Sequence, residues 1–241
     1  MRLPVIRGII RRRLLVNFRI DPAVMEAQLP SRFRPKLQSG YAIAGICLIR
    51  LQTIRPRLLP AVVGLSSDNA AHRIAVRWEG SSGEAREGVF IPRRDTSSWV
   101  NSLAGGRLFP GEHHRAAFEV HEDGHSIDLH MRSDDGMAEV EVRGCFGGAF
   151  PEASCFPSLA AASHFFEAGS LGYSVTREPG RLDGLELRTQ GWRVEPLTVD
   201  FVQSSYFSDP TRFPPGSVEL DCALAMRDVP HEWRGAGDLR V

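Results

Sequence analysis

The sequence predicts a mainly β (α+β) fold, an antiparallel barrel or sandwich carrying a few short helices. Three observations predict it. Apolar and polar residues alternate in many short runs. Gly, Pro and Asp-Gly turn signals separate those runs. Helical spacing with recognisable caps is confined to brief stretches. The 241 residues are enough for one substantial core, and no repeat, low-complexity tract or long linker divides them, so residues 1–241 are expected to form a single domain.

Taken in order, Leu14, Val16, Phe18 and Ile20 alternate with polar residues and predict a half-buried strand. Asp21-Pro22 then supplies an N-cap and a first-turn proline for a short helix over 23–29, which Pro30 bounds. Residues 43–51 are apolar at both parities, the pattern of a strand covered on both faces. His72, Ile74, Val76 and Trp78 share one face of the next strand, with Arg73 and Arg77 on the other. A strand over 88–92 leads to the capping cluster Asp95-Thr96-Ser97 and a helix over 98–104. Ser158 caps a helix that runs to Glu167 and ends at Gly169. Strands over 171–176, 185–193, 197–207 and 218–227 complete about ten.

The middle of the chain predicts registers. Asp123-Gly124 and Asp135-Gly136 suit the positive φ angles of two-residue hairpin turns. Used so, they set Phe118 against Leu129 and Val120 against Ile127, then Met131 against Val140 and Leu129 against Val142. The opposite face pairs Asp128 with Arg143, His130 with Glu141 and Arg132 with Glu139, and leaves Glu119 opposite Asp128.

Composition narrows the function. With 29 basic and 29 acidic residues the formal charge is zero, which removes the electrostatic case for nucleic acid or an anionic membrane surface. No apolar run reaches the ~18–20 residues of a membrane span, and the first residues lack a signal peptide's apolar stretch. Cys47, Cys145, Cys155 and Cys222 show no ligand spacing and read as reduced, mostly buried thiols of a cytoplasmic protein. No dinucleotide, phosphate-loop or serine-elbow motif appears, and no cofactor or metal is expected. Arg11-Arg12-Arg13 reads as a solvated strand edge, and residues 121–125 as a solvated turn. Lys36 is the only lysine, which leaves 28 arginines among the 29 basic residues.

Candidate chemistry gathers on histidine and arginine. Continuing the hairpin parity backwards puts His114 on the apolar face with Ala116 and Phe118, and turns His113 and Arg115 the other way. An inward histidine needs a partner, so His114 is a satisfied structural residue, a pocket acid/base or a metal ligand. The same three readings hold for His72. Glu112-His113-His114 lacks a third ligand, because adjacent strand residues point apart. Arg93-Arg94-Asp95, between a strand and a helix start, fits an anion site or a plain salt bridge and cap.

The order of several segments carries a resemblance: 16–22 (Val-Asn-Phe-Arg-Ile-Asp-Pro), Leu29-Pro30, Gly40-Tyr41-Ala42, 54–60, Gly64-Leu65-Ser66, 88–91 with Asp95, and Gly106-Arg107-Leu108-Phe109. These resemble the opening of a bacterial family of unknown function related in fold to acetoacetate decarboxylase. The likeness covers residues 12–145, and the remainder by strand pattern. It implies an antiparallel, cone-like β-barrel with a small-molecule pocket, assembled as a homo-oligomer.

Acetoacetate decarboxylase works through a Schiff-base lysine. Laid without gaps on Gly106-Arg107, the decarboxylase motif aligns Gly111 with its later glycine, His114 with its first lysine and Arg115 with its second. An imidazole forms no iminium, so Schiff-base decarboxylation is not expected, and Lys36 lies in a polar, proline-bounded stretch. The segment Asn69-Ala70-Ala71-His72-Arg73 also departs from the family's Asn-x-Arg. The expectation is therefore a pocket that binds or processes a small carboxylate or carbonyl compound. His114 and His72 would transfer protons, and Arg93, Arg94, Arg115 and Glu112 would hold substrate. A non-catalytic binding or sensing module, and a structural oligomer with a closed core, are the alternatives.

Overall fold

Two strand rings share one wall in this molecule. The computed structural model describes residues 5–80, 82–99 and 111–241. Its strands are β1 (Ile6–Ile20), β2 (Arg34–Pro35), β3 (Leu37–Gln38), β4 (Tyr41–Pro56), β5 (Leu65–Glu79), β6 (Ala85–Thr96), β7 (His114–Glu122), β8 (Ser126–Ser133), β9 (Glu139–Phe146), β10 (Leu171–Val175), β11 (Arg181–Thr189), β12 (Glu195–Ser204) and β13 (Val218–Arg240). Helix α1 (Pro22–Ala27) and helix α2 (Leu159–Ala168) accompany them. Hydrogen bonding runs β6-β7-β8-β9-β12-β13-β1-β4-β5 and closes where β5 pairs with β6. A smaller ring leaves that path at β6, passes through β10 and β11, and rejoins at β13.

The branch points follow from strand length. Residues 89–91 of β6 pair with β10, whereas Asp95 and Thr96 pair with His114 and Arg115 of β7. At 23 residues, β13 meets β12 through Leu224 and Ala225 and reaches β11 from His231 to Arg240. The shared strands β13, β1, β4, β5 and β6 therefore have a ring on each side, which requires cover on both faces. That explains the doubly apolar run in β4, buried from Ala42 to Leu48. It also corrects the expectation for β1: Leu14 through Phe18 are all buried, so the strand is central and not half-solvated.

The larger ring is packed. Leu14, Val16, Ile46, Leu48, Ile74 and Val140 sit at 0% exposure in one continuous cluster that takes in Met25 of α1 and Phe33. Asp21 caps α1 as expected, accepting from the Ala23 and Val24 amides, with proline in the first turn. A second cluster lies behind the shared wall, where Phe165 and Phe166 of α2 cover Leu15, Ile43 and Ala75. Ser158 caps that helix and Gly169 ends it, as the sequence predicts.

The hairpins hold in one half and shift in the other. β8 and β9 pair as expected, with Leu129 opposite Val142, Met131 opposite Val140, and all three charge pairs in place. β7 and β8 slip by two: Phe118 faces Met131 and Val120 faces Leu129, so Glu119 meets His130 and not Asp128. The cause is Asp123, which sits before the turn and accepts from the His125 and Ser126 amides at 3.0 and 2.8 Å, leaving Gly124-His125 at the tip. A slip of two preserves which face each residue takes. The expected turn over 121–125 is exposed throughout. Asp95 and Thr96 are the last residues of β6, and Thr96 Oγ1 accepts from the Ser98 amide at 3.1 Å; the helix expected over 98–104 falls mostly outside the described residues. Of the cysteines, all free, Cys47 and Cys222 are buried while Cys145 is exposed. No described helix is long and apolar enough to cross a membrane.

Candidate functional site

A cavity of about 440 Å³ opens inside the smaller ring, bounded by β1, β4, β5, β6, β10, β11, β13 and the end of α2. Its floor follows a cross-strand row, Cys47 beside Ala71 and Ala71 beside Arg94, which continues into the buried Leu15 of β1. Cys47 and Ala71 are short, which leaves the space. Ile49, Ile91, Phe166, Leu187, Trp192 and Trp233 supply much of the apolar wall.

Four arginines line this space; Arg188 is held by Glu186 at 2.9 Å, and the other three are Arg13, Arg73 and Arg94. Arg13 donates from Nε to the Cys47 sulfur at 3.3 Å and lies 5.6 Å from the Trp192 ring, with Nη1 buried and lacking a hydrogen-bond partner. Arg73, 6% exposed, donates to Asn17 Oδ1 and stacks 4.8 Å over Phe166, and its Nε has no partner. Arg94 donates from Nε to Ser174 Oγ at 2.8 Å. Desolvation pushes Arg73 and Arg94 down to about 10, opposed in both by the Cys47 sulfur. None of the three forms an ion pair among the described residues, while the neighbouring Arg12 and Arg93 do. Every Asp and Glu of the chain lies among those residues. Unpaired buried charge is costly, which makes such a set informative.

The cavity also holds an imidazole, that of His113. Its Nδ1 is 3.2 Å from the Gly111 carbonyl, which can only accept, so Nδ1 carries the proton. Burial, and then the Arg94 charge, push it down to about 3, so the ring is neutral near pH 7. Gly111 sets this loop: its φ is +88°, and a Cβ there would meet Ser174 Cβ at 2.5 Å.

The residues expected from sequence scatter around this cavity, and only Arg94 lines it. Arg93 turns to the other face of β6, gripping Asp95 and reaching Asp135 at 2.8 Å. His114 keeps the predicted parity with Ala116 and meets Asp135 at 3.2 Å, away from the cavity lining. His72 is fully buried in the larger ring against Tyr206 and Phe207, with ring centroids 4.7 and 6.0 Å away. Neither His72 nitrogen has a hydrogen-bond partner, and desolvation pushes it down to about 3. Arg115 donates to the Ser97 carbonyl and lies 4.5 Å from the Trp99 ring. Glu112 pairs with Arg177 at 3.5 Å. The expected convergence of His72 and His114 therefore does not bring either to the cavity. Parity assigned the faces correctly, but the apolar face closes on packed core, and the space lies behind the polar one.

Sequence reasoning missed Arg13, Arg73, His113 and Cys47. The run Arg11-Arg12-Arg13 is not a solvated edge: Arg12 is 4% exposed and held by Asp68 and Glu122, while Arg13 faces the cavity. A usable signal was present, namely arginines interrupting strands whose other positions are apolar. Lys36 lies between β2 and β3, pairs with Glu87 at 2.8 Å and rests 4.3 Å from the Phe165 ring; it does not line the cavity. Among the described residues no group of three or more His, Cys, Asp or Glu is placed to hold a metal.

Comparison with solved structures shows an acetoacetate decarboxylase-like fold. Acetoacetate decarboxylase from Legionella pneumophila superposes with a TM-score of 0.59 at 12% identity, over 98% of this chain and 88% of that one. An acetoacetate decarboxylase-like enzyme from Sphingomonas wittichii RW1 gives 0.60 at 15%, over 99% and 93%. The enduracididine biosynthesis enzyme MppR complexed with pyruvate gives 0.56 at 13%, over 98% and 89%. No curated protein sequence matches the chain. A family model described as an uncharacterized conserved protein matches residues 9–220.

Proposed function

We propose, for a chain that belongs to this family, DUF2071, that its smaller ring binds a small organic anion. The carrying observation is the presence of three cavity guanidiniums with no carboxylate paired to them among the described residues. An anionic ligand supplies the missing charge, and charge-assisted hydrogen bonds to arginine are among the stronger contacts a site can offer. The apolar wall takes the ligand's carbon skeleton, the usual division of labour in a small-molecule cavity. That a structural neighbour was solved with pyruvate, itself a small carboxylate, supports the class of ligand.

The reading assigns binding and no bond-making step. His113 is neutral and a weak base, suited to hydrogen bonding and poorly suited to taking a proton near pH 7. Imine chemistry needs a cavity amine, and the sole lysine is engaged elsewhere. Arg94 keeps the substrate-holding role expected of it; Arg13 and Arg73 take over from Arg93, Arg115 and Glu112.

Thermal unfolding with straight-chain carboxylates, each compared with its primary amide, tests the proposal. Acids that bind the folded state raise the unfolding temperature, by mass action, while their amides do not. Equal shifts from acid and amide, or no shift from any acid, would refute anion binding.

A further inference from the structure

Charge and register together specify the ligand further, given the anion-binding reading above. Arg13, Arg73 and Arg94 bring three positive charges to the cavity. The remaining charged residues of its lining nearly cancel among themselves or with neighbours. Asp95 is held by Arg93, and Arg188 is held by Glu186 at 2.9 Å. Glu167, exposed at the end of α2, is the one lining carboxylate without an ion pair among the described residues. The net charge to be met is about two, and a monoanion leaves one guanidinium uncompensated.

The strand positions that carry the guanidiniums are also spread out. Arg13 pairs with Ile49, two residues to one side of the Leu15–Cys47–Ala71–Arg94 row. Arg73 pairs with Gly45, two residues to the other side. Four residues of strand separate the two positions, about 13 Å along the sheet. Arg13 and Arg73 extend from these positions into one cavity, near enough for the Arg13 charge to act on Arg73, and two carboxylates on a short carbon spacer can each take one of them. Between the anchor positions the sheet carries the short Cys47 and Ala71, while Phe166 lies under Arg73 and Ile91 adds to the apolar wall.

We propose that the cavity takes an organic dianion with its charges at separate ends, a dicarboxylate, one end on Arg13 and the other on Arg73 and Arg94.

Calorimetric titration of the full chain at neutral pH and fixed ionic strength tests this. The probes are the straight-chain diacids from succinate to suberate, each beside its monomethyl ester, with butyl phosphate as a single-headed dianion. At the best-fitting length the diacid should bind at least about tenfold tighter than its ester. Arg94→Gln and Arg13→Gln should each bring the diacid down to the ester's affinity, and Arg94→Lys should keep part of the preference. Unfolding midpoints of all three variants separate lost contacts from lost fold. An ester that binds as well as its diacid at every length would overturn the dianion while leaving anion binding intact. Butyl phosphate binding tighter than every diacid would overturn the separated charges. If no diacid, ester or phosphate binds, the cavity reading and the dianion fall together.

Discussion

The two rings share five strands and use them in opposite ways. Toward the larger ring the shared strands present Leu14, Val16, Ile46, Leu48 and Ile74, all at 0% exposure and packed against one another. Toward the smaller ring they present Arg13, Cys47, Arg73 and Arg94 around open space. One face of a wall thus supplies stability and the other is available for a ligand. Period-two alternation makes this possible, since neighbouring residues of a strand belong to different compartments.

The largest expected effect breaks the packed side. Ile46→Ala removes a fully buried side chain from the larger ring and should cost about 2–5 kcal/mol in urea unfolding, by lost burial and a residual cavity. Three residues along the strand, Ile49→Ala enlarges a space that is already open and should cost less than about 1.5 kcal/mol. Equal losses would mean that both rings are packed alike.

His72 gives the next effect. Its folded-state value, about 3, lies below the ordinary 6.5, so the unfolded chain binds the extra proton between those values. Stability should therefore be fully present above about pH 6.5 and fall as pH drops toward 3. His113 (about 3) and His231 (about 4) act in the same direction. The groups around His72 are Tyr206, Phe207, Arg93 and Arg212, none of which supplies a proton acceptor to it. His72→Phe should flatten the acid loss, sparing on the order of 2–3 kcal/mol between pH 6.5 and 4. An unchanged slope in chemical unfolding at several pH values would show that His72 has a partner or titrates normally.

A smaller effect reads the charge of the open side. Cys47 lies beside Arg13, whereas Cys145 is exposed on β9. Alkylation rates followed by peptide mass should favour iodoacetate over iodoacetamide at Cys47 by about tenfold relative to the same ratio at Cys145, since the anionic reagent is drawn to the arginines. Equal ratios at the two cysteines would remove the positive cavity. The smallest effect concerns Lys36: Lys36→Met should leave carboxylate affinity within about twofold, and borohydride with a β-keto acid should trap no adduct. A trapped mass increase at Lys36 would restore imine chemistry.

Much of this architecture was legible from residue order. The caps Asp21 and Ser158 marked both described α-helices, because short polar side chains satisfy open amides wherever a helix starts. The β8–β9 register followed from three complementary charge pairs. The β7–β8 register did not, because Asp-Gly fits either turn position and only the side chain's choice of amides decides. The site was less legible. Parity separated His113 from His114 but gave no sign of which side was open, since a second ring depends on where β13 and β6 change partners. Arg13 looked solvated, and Arg73 could only be assigned to the face opposite the apolar one, for the same reason: a charged face beside an apolar one reads as water until β10, β11 and α2 are seen to cover it.

Titration of adipate into Arg94→Gln and His114→Gln, side by side with the unaltered chain, is the most direct measurement. A ligand site in the smaller ring predicts a loss of at least about tenfold for Arg94→Gln and a change within about twofold for His114→Gln. A tenfold loss for His114→Gln with Arg94→Gln unchanged would place the ligand on the other face of the shared wall and contradict the division of the two rings.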